Sequence, residues 1–360
     1  MPLEFPTEAK IREITWAAST AVAVHESTTT FKSQVYRWPG QRLGFHAKLA
    51  PMRREQAQAV HAWLLRLNGQ EKTFYFTDTK VSEAILGRAL PGGKVDNNPQ
   101  EFTAASGVLT AAAHGYAEGT RLRVSSTGTL PDGLTDATDY YARDVTTDTF
   151  KISLHLGTGA TFTVDTVAST VLITSSAHGK RNGDVIYLFS SNSDLPAGLS
   201  ANTPYYVISR TTDTFQISLT SGGAAVAMSD DGSGTLTWNT TPLVETTDAG
   251  TGTHSVEKRQ FGEFLNSDGW KANTLRLFKA GDWIGIDDRL RKVVTTVDSD
   301  ATGGATLELW PRMEIAPEDD TEIKINSEAR GVFRMAQLPP WTYDVTRLCS
   351  GLEFSAVEAL

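Results

Sequence analysis

The feature that most constrains this chain is a repeat in its middle third. The run Thr146-Thr147-Asp148-Thr149-Phe150-Lys151-Ile152-Ser153-Leu154 returns as Thr211-Thr212-Asp213-Thr214-Phe215-Gln216-Ile217-Ser218-Leu219, with Lys151 and Gln216 the one exchange. Ahead of it, Ala113-His114-Gly115 returns as Ala177-His178-Gly179, and Gly119 as Gly183. Leu130-Pro131-Asp132-Gly133-Leu134 returns as Leu195-Pro196-Ala197-Gly198-Leu199, and Tyr140-Tyr141 as Tyr205-Tyr206. The offset is 64 residues at the His-Gly end and 65 from the Leu-Pro element onward, so a one-residue length change lies in the loop between them. Matching words in one order identify two copies of a single supersecondary unit.

Within each copy the apolar residues alternate over short runs. In the first these are Leu122 and Val124, Tyr141 and Val145, then Phe150, Ile152 and Leu154, closed by Phe162 and Val164. Period two marks half-buried strands, and Asp132-Gly133, Asp148-Thr149 and the glycine-rich stretches at 157–159 and 222–223 supply turn chemistry between them. Each copy is therefore expected to be a small antiparallel β-module. About 65 residues bury too little surface for a comfortable core, so the copies are expected to pack on each other or on neighbours.

Composition changes on both sides of the repeat. From Phe102 to Trp238 the chain is rich in Thr, Ser, Gly, Ala and Asp, whereas the outer zones carry aromatics able to build a core: Trp16, Phe31, Tyr36, Trp38, Phe45, Trp63, Phe74, Tyr75 and Phe76 before it, Phe261, Phe264, Trp270, Trp283, Trp310, Phe333, Trp341 and Phe354 after it. One helix is legible, where Ala57, Val60, Leu64 and Leu67 share a face, with Pro51 ahead as a start signal and Gly69 beyond as a stop. The remaining outer sequence reads as strands, among them 42–49, 74–76, a hairpin of 283–286 and 290–297 turning at Asp287-Asp288, and 305–310. The fold class expected is mainly β: a split β-rich domain with one α-helix, made of residues 1–98 and 241–360, interrupted by two tandem antiparallel β-modules at 99–164 and 165–240.

Residues that could carry chemistry are few. His114 and His178 are candidate metal ligands or general bases by residue type, yet each sits between an alternating strand and a glycine turn with no second ligand at metal spacing, which points to a turn-structuring role. The sequence has no H-E-x-x-H, no G-x-S-x-G and no Gly-Lys-Thr/Ser phosphate loop, and Cys349 follows Arg347-Leu348 in no nucleophile context. Asp230-Asp231-Gly232 and Glu318-Asp319-Asp320 lack the alternating oxygen register of a calcium loop and read as solvated turns. Tyr140, Tyr141, Tyr205 and Tyr206 put one ring of each pair on either face of an extended strand, so one of each is a candidate contact for a glycan or a partner surface, with core packing the competing reading. No enzyme activity, cofactor or metal is expected.

With 33 Lys and Arg against 42 Asp and Glu, the net charge is −9, which offers no global attraction to nucleic acid or anionic lipid. The lone Cys349 excludes an intramolecular disulfide. No apolar run approaches the roughly 20 residues of a membrane span, and Met1-Pro2-Leu3-Glu4-Phe5 has neither the basic nor the apolar region of a secretory signal, so neither membrane insertion nor signal-directed export is expected.

The outer zones resemble a known family. Leu49-Ala50-Pro51-Met52-Arg53-Arg54, running through the helix into Leu67-Asn68-Gly69-Gln70, is similar to an element of tail-tip proteins of long-tailed bacteriophages. Ser267-Asp268-Gly269-Trp270, Lys279-Ala280-Gly281-Asp282-Trp283, Leu309-Trp310-Pro311-Arg312, Gly331-Val332-Phe333-Arg334 and the closing 354–360 continue the likeness. Together they resemble the distal tail protein class, and the repeated module resembles one found in many phage structural proteins. The resemblance implies a β-rich belt domain that closes into a ring, usually a hexamer, joining tail tube to tail-tip hub. The protein would be made in the bacterial cytoplasm and reside in the virion, with DNA only as passing cargo. Distal tail proteins often carry outward insertions, some of them galectin-like or carbohydrate-binding, and the resemblance implies that position for the repeats without implying a sugar activity.

Two other classes compete with the ring. In one, the repeats form an adsorption module that binds host-surface glycan through the four tyrosines. In the other, a glycan-cleaving enzyme would need paired carboxylates across a groove, and no spacing in the sequence selects such a pair.

Overall fold

The computed structural model describes residues 1–26, 31–77, 92–165, 172–190, 194–340, 348–349 and 351–359. The first outer segment carries β1 (Ile11–Glu26), β2 (Ser33–Leu49), β3 (Met52–Arg53), α1 (Arg54–Leu67), β4 (Thr73–Phe76) and β5 (Lys94–Val95). The middle contributes β6 (Gln100–Ala105), β7 (Val108–Thr110), β8 (Arg121–Ser126), β9 (Asp139–Arg143), β10 (Thr149–Ser153), β11 (Gly159–Asp165) and β12 (Leu172–Thr174). It continues with β13 (Val185–Ser190), β14 (Tyr205–Ile208), β15 (Thr214–Ser218), β16 (Leu236–Asn239) and β17 (His254–Lys258). The last segment adds β18 (Gly262–Asp268), β19 (Trp283–Ile286), β20 (Arg289–Val293), β21 (Ala305–Met313), β22 (Gly331–Met335), β23 (Leu348–Cys349) and β24 (Glu353–Glu358). The protein is mainly β, with one α-helix among the described residues.

The chain divides into two units, residues 1–97 with 260–360, and residues 98–259. In the first, both outer segments share each of two five-stranded sheets. One sheet runs β1-β2-β24-β22-β4, with Phe45 of β2 opposite Ala356 of β24. The other runs β19-β20-β21-β18-β5, with Val95 opposite Ser267. Some of the aromatics that marked the outer zones meet here: Phe45 stacks on Phe76 at 4.1 Å between centroids, Phe333 meets Phe45 edge-on at 5.0 Å, and Trp16 lies 4.7 Å from Trp283. Phe31, Tyr36, Trp38 and Phe264 do not join the core and stay exposed, and Trp341 lies outside the described residues. Such pairs add to the transfer free energy of their buried area. Helix α1 packs Ala57, Val60, Leu64 and Leu67 into this core. It begins at Arg54, after the short strand β3, and ends on Asn68 in the left-handed conformation (φ 50°), where Gly69 (φ 66°) completes the stop. Asp287 and Asp288, both left-handed, make the two-residue turn between β19 and β20. The return strand stops at Val293 rather than running to 297, and β21 extends to Met313 because its alternate residues through Leu309 and Met313 stay buried.

In the second unit two closed six-stranded barrels repeat one another strand for strand. The first closes as β10-β7-β6-β17-β8-β9 and the second as β15-β12-β11-β16-β13-β14. Equivalent positions carry equivalent core side chains: Phe102 and Phe162, Leu109 and Ile173, Val124 and Leu188, Phe150 and Phe215, Ile152 and Ile217. Where the copies differ, volume is exchanged. Tyr116 fills the first barrel beside Val256, and in the second the large ring is Trp238, with Lys180 at the place of Tyr116.

Two sequence expectations are corrected here. The inserted stretch runs to 259 rather than 240, and the two modules are nested rather than tandem, because β17, which completes the first barrel, follows the whole of the second. Phe162 and Val164, read as the close of the first copy, open the second as β11, where Phe162 pairs with Leu236 as Phe102 pairs with His254. Alternation shows that a strand is half-buried and does not show which barrel buries it. The one-residue length difference falls between Ser190 and Leu195, of which 191–193 lie outside the described residues.

Candidate functional site

The residues singled out from sequence are mostly spent on holding the barrels together. Tyr140 and Tyr205, only 1% and 2% exposed, point into the barrel interiors, where their hydroxyls accept hydrogen bonds from Thr135 N at 2.8 Å and Ser200 N at 2.9 Å. Neither offers a ring face to a ligand, so these two are removed from the candidate glycan contacts. Tyr141 and Tyr206 face outward and are half-buried, and the Arg121 guanidinium lies 5.7 Å from the Tyr141 ring centroid. The phase of the strand decides this split.

His114 and His178 are likewise structural. Each ring accepts, through Nδ1, the backbone N–H two residues on, that of Tyr116 at 2.9 Å and of Lys180 at 3.0 Å. Each meets a core phenylalanine edge-on, Phe150 at 5.0 Å and Phe215 at 4.9 Å. The turns are held from outside by the repeated aspartates: Asp148 accepts from Ala113 N and Asp213 from Ala177 N, both at 2.8 Å. Asp230 caps its own turn, accepting from Ala197 N at 2.8 Å and Gly232 N at 3.1 Å. Cys349 is buried, and burial pushes its thiol up, away from the reactive thiolate form. Among the described residues no group of three or more His, Cys, Asp or Glu is placed to hold a metal, and no helix is long and apolar enough to cross a membrane.

The surface that calls for an explanation lies in the first unit. Strands β1 and β2 stay paired from Ile11↔Leu49 to Glu26↔Ser33, but β24 accompanies β2 only between Gly44 and Lys48. Beyond that point the two strands continue as a ribbon in which residues 17–26 and 31–39 are all exposed. At about 3.3 Å per residue the ribbon extends about 30 Å. Its side chains are not those of a solvated hairpin. Val24 (65% exposed) stands opposite Val35, and Ala23 opposite Tyr36, so apolar groups occupy both faces; Trp38 (56% exposed) and Val22 extend them toward the root. Two-stranded ribbons are marginal in water, and exposed apolar patches with free strand edges mark association surfaces.

Other sheet edges of this unit are covered. Leu3 bonds both sides of β4's edge, donating to Thr73 O and accepting from Tyr75 N at 2.9 Å each, and residues 321–323 bond to Gly93 and Val95 along β5. The root of the ribbon is clamped by a buried polar cluster. Glu358 accepts from Leu43 N at 3.2 Å, Gln41 accepts from Arg312 N at 2.8 Å, and Arg291 Nη1 donates to the carbonyls of Pro311 and Arg312 at 2.6 and 2.9 Å. Burial raises the Glu358 carboxyl above its usual range, with Arg291 pulling it back, and lowers Arg291 to about 10. Sequence reading missed the ribbon and put Tyr36 and Trp38 in a core, because alternation such as Val22 and Val24 or Tyr36 and Trp38 shows a strand and not what covers it.

The sequence matches no family model and no curated relative.

Proposed function

We propose that the protein is a structural component of a phage tail tip, assembling through its first unit into a ring of copies, six in the resembled family, that joins the tail tube to the tail-tip hub. The observation that carries this reading is the β1–β2 ribbon: a rooted, two-faced apolar arm with unpaired backbone edges is suited to lie across a second copy of the same chain, where its edges gain hydrogen bonds and its valines and aromatics lose water. A ring repeats that one heterologous contact until it closes. The inserted barrels then decorate it. The net charge of −9 per chain accumulates with each copy, so assembly gains from salt that screens charges over about 8–10 Å.

Native mass spectrometry of the full chain, with imaging of the particle that carries it, tests the reading. A closed oligomer on the tail axis is expected, and Val24→Asp with Trp38→Ser should return it to monomer without lowering its melting temperature. A monomer at all concentrations, or an oligomer indifferent to both substitutions, would sink it.

A further inference from the structure

An apolar arm needs a surface to lie on, and the first unit carries one. On β20 the side chains of Leu290, Lys292 and Val294 share a face with those of Trp310, Glu308 and Thr306 on β21, because Lys292 pairs with Trp310 and alternate residues of a strand point the same way. At one end this face is covered. Leu290 joins the core built around Phe45 and Phe333, Trp310 packs against that core, and the Lys292 ammonium lies 4.8 Å from the Trp283 ring centroid. One row further along the cover ends. Val294 N donates to Glu308 O at 2.8 Å, and Phe264 of β18 stands directly opposite Glu308. Val294, Glu308 and Phe264 thus form a strip across three strands, with Phe264 59% and Val294 44% exposed.

The strip complements one face of the ribbon. Directly opposed residues of an antiparallel pair share a face, so Val22, Val24, Val35 and Arg37 lie on one side of the ribbon and Ala23 and Tyr36 on the other. The first side sets three valines around a guanidinium. The strip sets a phenylalanine and a valine around a carboxylate. Among the described residues neither Arg37 nor Glu308 is ion-paired. Residues 17–39 hold Lys32 and Arg37 against Glu26 alone, a positive excess within a chain of net charge −9. Within one molecule the valines and Phe264 are all exposed, so a chain does not cover its own strip with its own ribbon. A second copy can do so, and opposite charges facing across such a contact fix its register.

We infer that the valine face of one copy's ribbon packs on the Val294–Glu308–Phe264 strip of the next copy, with Arg37 meeting Glu308 across the contact. This pairing rests on the assembly proposed above and names the surface that receives the arm. Each copy gives a ribbon and receives one, which is the heterologous contact a ring repeats.

Full-length variants test the pairing by native mass spectrometry and sedimentation. Val24→Asp spoils the ribbon face and Phe264→Asp the strip; both positions are exposed, so neither should change the melting temperature. Each variant alone should be monomeric. Their equimolar mixture should give a one-to-one heterodimer, because one intact ribbon and one intact strip remain between them. Arg37→Glu and Glu308→Arg should each weaken association about tenfold, and the two in one chain should restore it to within about threefold of the parent. If the parent assembles, a Phe264→Asp chain that assembles equally well, a mixture that stays monomeric, or a charge exchange without rescue overturns this pairing and leaves the ring standing. A parent that is monomeric at all concentrations overturns both.

Discussion

Gln260 Nε2 donates to Asn97 Oδ1 at 3.0 Å, joining the last residue before the inserted unit to the first residue after the inserted unit. The same amide donates to Asp96 O at 2.8 Å, and Gln260 Oε1 accepts from Asn266 N. Asn97 in turn donates through Nδ2 to Pro317 O at 3.1 Å. Both side chains are buried, so these bonds are made away from competing water. The outer unit thereby closes across the gap that the insertion opens.

Gln260→Ala leaves the Asn97 and Asn266 groups without their partner inside the protein. A loss of about 1–3 kcal/mol in unfolding free energy is expected for such orphaned polar groups. Urea denaturation of the full chain measures it. A change below about 0.5 kcal/mol would show the junction to be solvated rather than closed.

Nesting makes an asymmetric prediction about fragments. Residues 157–241 contain all six strands of the second barrel and should fold alone, with a cooperative melt and dispersed amide resonances. Residues 99–164, the first copy as sequence similarity delimits it, lack β17 and should not fold. Joining residues 98–156 to 242–259 through a short glycine linker should restore the first barrel. Cooperative folding of 99–164 by itself would contradict the strand order.

The histidines offer a test by substitution. His114→Ala and His178→Ala each delete the acceptor of a buried turn N–H and an edge-on ring contact, and each should cost about 1–3 kcal/mol. His178→Asn should recover part of the loss, because an amide oxygen can reach the N–H two residues on. Circular dichroism melts decide it. An alanine variant as stable as the parent would remove the turn role.

Glu358 predicts a slope of stability with pH. Burial raises its folded pKa above the unfolded value, against the pull of the Leu43 N–H and Arg291. The folded state therefore holds a proton that the unfolded state has released, and stability falls as pH rises from the ordinary carboxylate range through the raised value. Asp268 and Asp319, raised by burial and by neighbouring carboxylates, lean the same way. Glu358→Gln keeps an acceptor for Leu43 N and should flatten part of this slope in urea titrations between pH 4 and 7. An unchanged slope would place the titration elsewhere.

Much of this architecture is local in origin and was therefore legible. Period-two alternation at 149–153 and 214–218, the left-handed turn at Asp287-Asp288 and the apolar face of α1 are properties of neighbouring residues. They determine that the protein is mainly β and duplicated, with one α-helix among the described residues. The sequence also placed the histidines correctly, since an imidazole that accepts a hydrogen bond from the second residue onward needs only its own turn.

What only the tertiary structure decided is which strand joins which. His254 shares no sequence likeness with Leu236, yet the two occupy the same place, one beside Phe102 and the other beside Phe162. Pairing across more than a hundred residues depends on how the whole sheet closes, and a strand's own pattern shows only that one face is buried. The inward turn of Tyr140 and Tyr205, the hydrogen bond between Asp144 and Thr237, and the uncovered ribbon of Val24 and Trp38 are all of this kind. Each is a relation between distant segments, whose energy exists only once the chain has folded.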